Sequence, residues 1–224
     1  VNQKLQYSKY PKLLVIDMTA MGNGTATGEV KAELLKDWPK DGILQISSGG
    51  KNSLALTSVD EAGAYSSACV QPDSAREAIV SFCPDVILYR IAPKVPWLHE
   101  FAMDVVQRWN LPLITWLMDD WPEDLATSAA QEWETLSKDL VLLLRASEIR
   151  LSICDAMSHA FQDRYGMSFR SFANGVNPVE WPCLRHHEEG HLLLRYSGGL
   201  ATNMSLESLL RIAVRRTGAA RGST

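Results

Sequence analysis

Lys12-Leu-Leu-Val-Ile-Asp-Met18, followed closely by Met21-Gly-Asn-Gly-Thr-Ala-Thr-Gly28, decides the fold of this chain. A continuous apolar run of strand length, without alternation, is what a strand buried on both faces of a parallel sheet requires. The glycine-rich turn behind it predicts a strand-to-helix connection. Residues 29–38 read as the helix, stopped by Pro39 and the Asp41-Gly42 turn.

The alternation repeats downstream. Residues 43–47 read as a second strand, and residues 53–57 as a third. Residues 74–82 are a predicted helix, with Ser74 as its cap and Glu77 at capping-box spacing. Asp85-Val-Ile-Leu-Tyr-Arg90 is the next strand, residues 96–109 a helix with proline in its first turn, and residues 112–118 another buried strand. In residues 129–147, Trp133, Leu136, Leu140 and Leu143/Leu144 recur at intervals of three and four, which predicts a long amphipathic helix. A strand at 150–154, a helix at 155–165 stopped by Gly166, and a strand at 168–173 follow.

Beta-alpha alternation of this kind predicts an α/β fold: a Rossmann-like, doubly wound, mostly parallel sheet with helices on both faces. The pattern fills residues 1–177 as one lobe. Asn174-Gly-Val-Asn-Pro-Val-Glu-Trp-Pro182 interrupts it, and residues 178–190 read as a linker. Residues 191–215 restart the pattern with one strand and one helix, and residues 216–224 are expected to be a disordered tail. One strand and one helix bury too little surface to offset their ordering entropy, so the second lobe is expected to be truncated.

Composition excludes several classes. Of 224 residues, 46% are hydrophobic and 21% charged, which rules out intrinsic disorder. The 22 lysines and arginines stand against 26 acidic residues, a net charge of -4, so a nucleic-acid partner is not expected. No apolar run approaches the roughly 18–20 residues that span a bilayer, and the first residues do not read as a secretion signal. Cys69, Cys83, Cys154 and Cys183 form no Cys-x-x-Cys pair and read as free, mostly packed thiols in a reducing cytoplasm.

Two segments carry candidate chemistry. Gly22, Gly24 and Gly28 have the spacing G-x-G-x-x-x-G, one residue longer than the dinucleotide fingerprint. The second strand ends in Ser47-Ser48-Gly49-Gly50, without the acidic residue of an NAD site, and no Gly-Lys-Ser/Thr follows. Two readings stay open: a plain strand–helix turn, or a loop over a phosphate or sugar at the carboxyl edge of the sheet. Met118-Asp-Asp-Trp-Pro-Glu-Asp124 places four carboxylates directly after a buried strand, at that same edge. They are suited to accepting sugar hydroxyls, acting as a base or holding a metal, and Trp121 offers a face for a sugar ring. A solvated acidic loop with Trp121 in the core is the alternative. His186-His187-Glu188-Glu189-Gly190-His191 reads as hydrated linker, His99 and His159 as isolated structural or exposed residues, and no metal site is expected.

In order and spacing these segments resemble the N-terminal lobe of GT-B-type glycosyltransferases, in particular the family 4 group. The matching pieces are Gly22-Asn-Gly-Thr-Ala-Thr-Gly28, Pro84-Asp-Val-Ile-Leu-Tyr89, Met118-Asp-Asp-Trp-Pro122, Arg164-Tyr-Gly166 and Asn174-Gly-Val-Asn177. Tyr196-Ser-Gly-Gly-Leu200 is similar to the opening of the nucleotide-binding lobe. The resemblance implies transfer of a sugar from a nucleotide-sugar donor to a hydroxyl of a glycan or lipid-linked acceptor. The nucleotide sugar is a co-substrate, and no cofactor or metal is implied.

By the same resemblance, Gly22, Asn23, Gly24 and Thr25 approach donor phosphate and acceptor, and Asp119 and Asp120 are the catalytic, acceptor-side carboxylates beside Trp121. Asn174 and Gly175 sit at the interlobe crossover, and Gly198 and Gly199 in the first donor-phosphate loop. Met118 stands where the family often has histidine, and residues 199–204 lack basic groups for a diphosphate. The chain is therefore expected to supply mainly the acceptor lobe and to be inactive alone, with peripheral membrane association as a further expectation. A non-catalytic Rossmann-like module binding carbohydrate or protein is the competing expectation.

Overall fold

All five residues of Leu13–Asp17 (β1) are buried, Asp17 included, so the apolar run does form a strand covered on both faces. The structure, a computed structural model, describes residues 10–173. The expected linker at 178–190, the strand–helix unit at 191–215 and the tail at 216–224 lie outside the described residues, as do Asn174, Gly175, Gly198 and Gly199.

Eight strands form one sheet in the order β4-β3-β2-β1-β5-β6-β7-β8. Besides β1 these are Ile43–Gly50 (β2), Ser53–Val59 (β3), Tyr65–Val70 (β4), Val86–Arg90 (β5), Leu113–Leu117 (β6), Ser147–Ser152 (β7) and Arg170–Ser171 (β8). The ladder from β2 through β1, β5, β6 and β7 to β8 is parallel throughout, and only the β2-β3-β4 meander at one edge is antiparallel. The helices are Ala26–Leu34 (α1), Pro72–Phe82 (α2), Pro96–Trp109 (α3), Trp121–Ser128 (α4), Ala130–Ala146 (α5) and Asp155–Tyr165 (α6). The α/β, Rossmann-like, mostly parallel architecture is therefore present.

Alternate residues of the central strands face two different cores. Leu14, Ile16, Ile87 and Tyr89 pack with Ile79 of α2, Leu98 and Val105 of α3, Leu140 and Leu144 of α5 and Phe161 of α6. Leu13, Val15 and Val86 face the other way, against Met21, Leu35 and Trp38 around α1. The coverage is uneven. Among the described helices α1 supplies the second face, and beyond it Leu88, Ile114, Trp116, Leu151 and Phe172 line an apolar hollow of about 450 Å³.

Several boundaries differ from expectation. The helix after the glycine turn starts at Ala26 rather than 29, because Thr25 caps it by accepting from Gly28 N–H at 3.2 Å. Its last turn is already lost at Leu35. Ser74 is not a cap: Pro72 opens α2 behind Gln71 and leaves Ser74 inside the first turn. Strand β4 went unread because its residues are mostly exposed and polar, as an edge strand tolerates. Strand β7 begins at Ser147, where its hydroxyl bonds Leu143 C=O and ends α5. The thiols of Cys69, Cys83 and Cys154 are exposed, not packed: they sit on an edge strand, at a helix C-cap and at a helix N-cap. Among the described residues no helix is long and apolar enough to cross a membrane.

His99 is not isolated either. Ala92 N–H donates to the buried Tyr89 hydroxyl at 3.3 Å, and that hydroxyl lies 2.8 Å from His99 Nδ1. Asp139 Oδ2 lies 3.2 Å from His99 Nε2. A hydroxyl has one proton to give, so the chain is satisfied throughout when Tyr89 donates to Nδ1 and neutral His99 donates from Nε2 to Asp139. Burial pushes the Tyr89 phenol far above its ordinary range. Tyr89→Phe leaves Ala92 N–H and His99 Nδ1 unpaired in the core, and urea denaturation should show a loss of about 1–3 kcal/mol.

Candidate functional site

The winding of the sheet sets where a ligand fits. The chain leaves β1 through α1 on one face and leaves β5 through α3 on the other, although β1 and β5 are paired neighbours. Connections that diverge in this way open a crevice beyond the carboxyl ends of the two strands. Asp17 ends β1 and Arg90 ends β5, so the crevice begins between two opposite charges.

Asp17 organises this point. One of its oxygens, Oδ2, pairs with Lys31 Nζ of α1 at 2.8 Å, with both side chains almost wholly buried. The other, Oδ1, accepts from Thr19 N–H at 2.9 Å and Thr19 Oγ1 at 3.2 Å, and lies 3.4 Å from Arg90 Nη1. Lys31 also donates to Thr19 C=O at 2.5 Å, as does Gln45 Nε2 at 3.0 Å, while Gln45 Oε1 accepts from Met21 N–H at 2.7 Å. Burial pulls the Lys31 ammonium below its ordinary pKa, and Asp17 opposes that shift. The loop after β1 is thereby fixed to α1, β2 and β5.

The glycine turn grows from this anchor. Gly22 has φ +64°, and the Tyr65 ring of β4 packs where its side chain would be. Gly28 is needed for close approach, since a Cβ there would meet Asn23 Oδ1 and the Ala20 carbonyl. Several of the turn's donors are spent internally. Gly24 N–H donates to Glu29 Oε1 at 2.8 Å, Thr25 N–H to Asn23 Oδ1 at 3.1 Å, and Gly28 N–H to Thr25 Oγ1. A carboxylate of the chain thus holds a position that an anion would take.

The acidic segment is a helix start, not a free loop. Asp120 is the N-cap of α4, and Trp121 and Pro122 form its first turn. Arg164 of α6 grips Asp120 through two contacts, 2.7 and 3.0 Å, and lies 3.3 Å from Glu123. Two of the four carboxylates are therefore committed to joining α4 with α6. Asp119 and Asp124 remain exposed. Trp121 fits both earlier readings: its ring meets Trp133 edge-on at 6.4 Å, and it also lines a cavity.

Two cavities occupy the crevice. One, about 240 Å³, is bounded by Met18, Arg90, Lys94, Asp119, Trp121 and Asp124. The other, about 260 Å³, is bounded by Ala26, Thr27 and Val30 of α1 together with Arg90, Met118 and Asp119. They share Arg90, Met118 and Asp119, and jointly reach the ~300–1,000 Å³ of small-molecule sites. The apolar hollow beside α1 offers mainly hydrophobic walls, and its Lys31 is already paired with Asp17. Convergent polar groups distinguish the crevice.

The structure brings the start of α1 and the segment after β6 to one rim, with Asp119 and Trp121 in the cavities. Gly22, Asn23, Gly24 and Thr25 are exposed on the turn leading into that rim but line neither cavity, and neither does Asp120. Sequence reasoning missed Asp17, Lys31, Arg90 and Lys94. A usable signal existed: two of the apolar strand runs, Leu13–Asp17 and Val86–Arg90, end in opposite charges. Among the described residues no group of three or more His, Cys, Asp or Glu is placed to hold a metal ion.

Lys31→Met strips Asp17 of its closest cation, and urea denaturation should show a loss of about 3–5 kcal/mol, the usual cost of breaking a buried pair. The more exposed Arg164→Ala should cost about 1 kcal/mol or less. No protein-family model matches this chain, and no match is found among curated proteins or solved structures.

Proposed function

We propose that this chain is the acceptor-binding lobe of a GT-B-type glycosyltransferase of the family 4 kind. Such an enzyme transfers a sugar from a nucleotide-sugar donor to a hydroxyl of a glycan or lipid-linked glycan. The observation that carries the proposal is the shared rim. The start of α1 and the Asp119–Trp121 segment are about 90 residues apart in sequence, yet both border cavities at the switch point. Carboxylates beside an indole face suit a saccharide, whose hydroxyls donate hydrogen bonds and whose ring has an apolar side.

On this reading Asp119 is the acceptor-side carboxylate. It accepts a hydrogen bond from the attacking hydroxyl, orients it, and takes its proton as that oxygen bonds the anomeric carbon and the bond from that carbon to the departing nucleoside diphosphate breaks. Asp120, held by Arg164, positions the start of α4 and with it Asp119 and Trp121. The start of α1 supplies one wall, and the glycine turn leading into it is closed on itself, its Gly24 donor bonded to Glu29.

That internal satisfaction also favours a second reading, a non-catalytic saccharide-binding module that handles no diphosphate. The two separate experimentally. Glycan-array binding should fall at least about tenfold in Asp119→Ala, the scale of a charged hydrogen bond, and less in Asp120→Ala. With a nucleotide-binding lobe supplied to this acceptor lobe, which is expected to be inactive alone, nucleoside diphosphate release from nucleotide sugars that depends on a bound acceptor and is lost in Asp119→Ala would select the enzyme. Glycan binding without release would select the module, and no saccharide binding would contradict both.

A further inference from the structure

We propose that Arg90 and Lys94 form an anion subsite in the crevice, so that its ligand is a saccharide or polyol bearing a phosphate or carboxylate. The inference rests on the saccharide reading above and names the class of that ligand.

Arg90 is the starting point. Its side chain is 11% exposed, and its one close charged contact is the 3.4 Å approach of Nη1 to Asp17 Oδ1. That Nη1 is buried without a hydrogen-bond partner among the described residues. A guanidinium carries five N–H donors, so burying Nη1 without an acceptor is costly. Asp17 supplies opposite charge there but no hydrogen bond to Nη1. Its Oδ1 already accepts twice from Thr19, and its Oδ2 faces Lys31. One carboxylate thus stands between two basic side chains, and Arg90 also borders both cavities.

Lys94 lies four residues further on, in the loop between β5 and α3, and borders the same cavity. It is exposed and has no ion pair among the described residues. An anionic group seated at Arg90 would meet Lys94 as well, and charge-assisted hydrogen bonds from the two would hold it. The glycine turn is a poorer seat for an anion, because Glu29 holds a carboxylate against its Gly24 N–H.

The rest of the cavity excludes simpler ligands. Asp119 and Asp124 border it too and repel a bare anion, while a neutral sugar would offer Arg90 only uncharged hydroxyl oxygens. A ligand carrying one anionic group and several hydroxyls meets every wall. Its anion lies toward Arg90 and Lys94, its hydroxyls donate to Asp119 and Asp124, and its ring covers Trp121.

Titration calorimetry on the chain, with inorganic phosphate, a hexose phosphate, a hexuronate and the neutral hexose as probes, tests this. The hexose phosphate or the hexuronate should bind about tenfold or more tightly than the neutral hexose or phosphate alone, the ratio of one charge-assisted contact. Which of the two binds identifies the anion. Lys94→Glu, a substitution at an exposed loop position, should remove that advantage, so that anionic and neutral hexoses bind alike. Equal affinity for neutral and anionic sugars, unaffected by Lys94→Glu, would overturn the anion subsite and leave the saccharide reading standing. Phosphate bound as tightly as hexose phosphate, and weakened by Lys94→Glu, would support the subsite but contradict the saccharide reading. No binding of any probe would overturn both.

Discussion

One buried carboxylate at the end of the central strand constrains the rest of this molecule. Asp17 lies where the winding of the sheet reverses, and its partners come from different elements: Lys31 from α1, Thr19 from the loop, Arg90 from β5. Burying charges is expensive, and the cost is recovered only when distances and hydrogen bonds are right. The cluster therefore tolerates few arrangements of the loop, the helix and the neighbouring strand. It converts a generic crevice into one of fixed shape.

The chemistry of the rim follows from which groups the fold has already used. Glu29 closes the glycine turn, and Arg164 takes Asp120 and Glu123. What is left facing the crevice is Asp119 and Asp124 on one side, Arg90 and Lys94 on the other, and the Trp121 ring. A segment that reads as four equivalent carboxylates is thus divided by a single arginine on α6 into a structural half and an available half. The family resemblance treated Asp119 and Asp120 alike, and their surroundings separate them.

The fold was largely legible because the central strands are continuous apolar runs. Leu13–Asp17, Val86–Arg90 and Leu113–Leu117 fall within the runs read as buried strands, and α3 and α6 match residue for residue. Strand β4 escaped because Tyr65-Ser-Ser-Ala-Cys-Val70 is a polar edge with little to bury. Helix α4 escaped because its carboxylates suggested a solvated loop, although Trp121-Pro122 after Asp120 has the form of a helix start. The site was half legible. Asp119 and Trp121 stood out by residue type, whereas Asp17 and Arg90 were read as the tails of strands. Their roles depend on β1 and β5 being neighbours across 73 residues of sequence, which no local periodicity encodes.

The central claim is that segments remote in sequence act as one site at the switch point. Amide chemical-shift mapping of the isotopically labelled chain during titration with an anionic hexose tests it directly. The account predicts that residues 18–28, 90–94 and 118–124 shift together and saturate with a single dissociation constant. Shifts confined to one of these segments, or centred on the apolar hollow around Trp116 and Phe172, would contradict it.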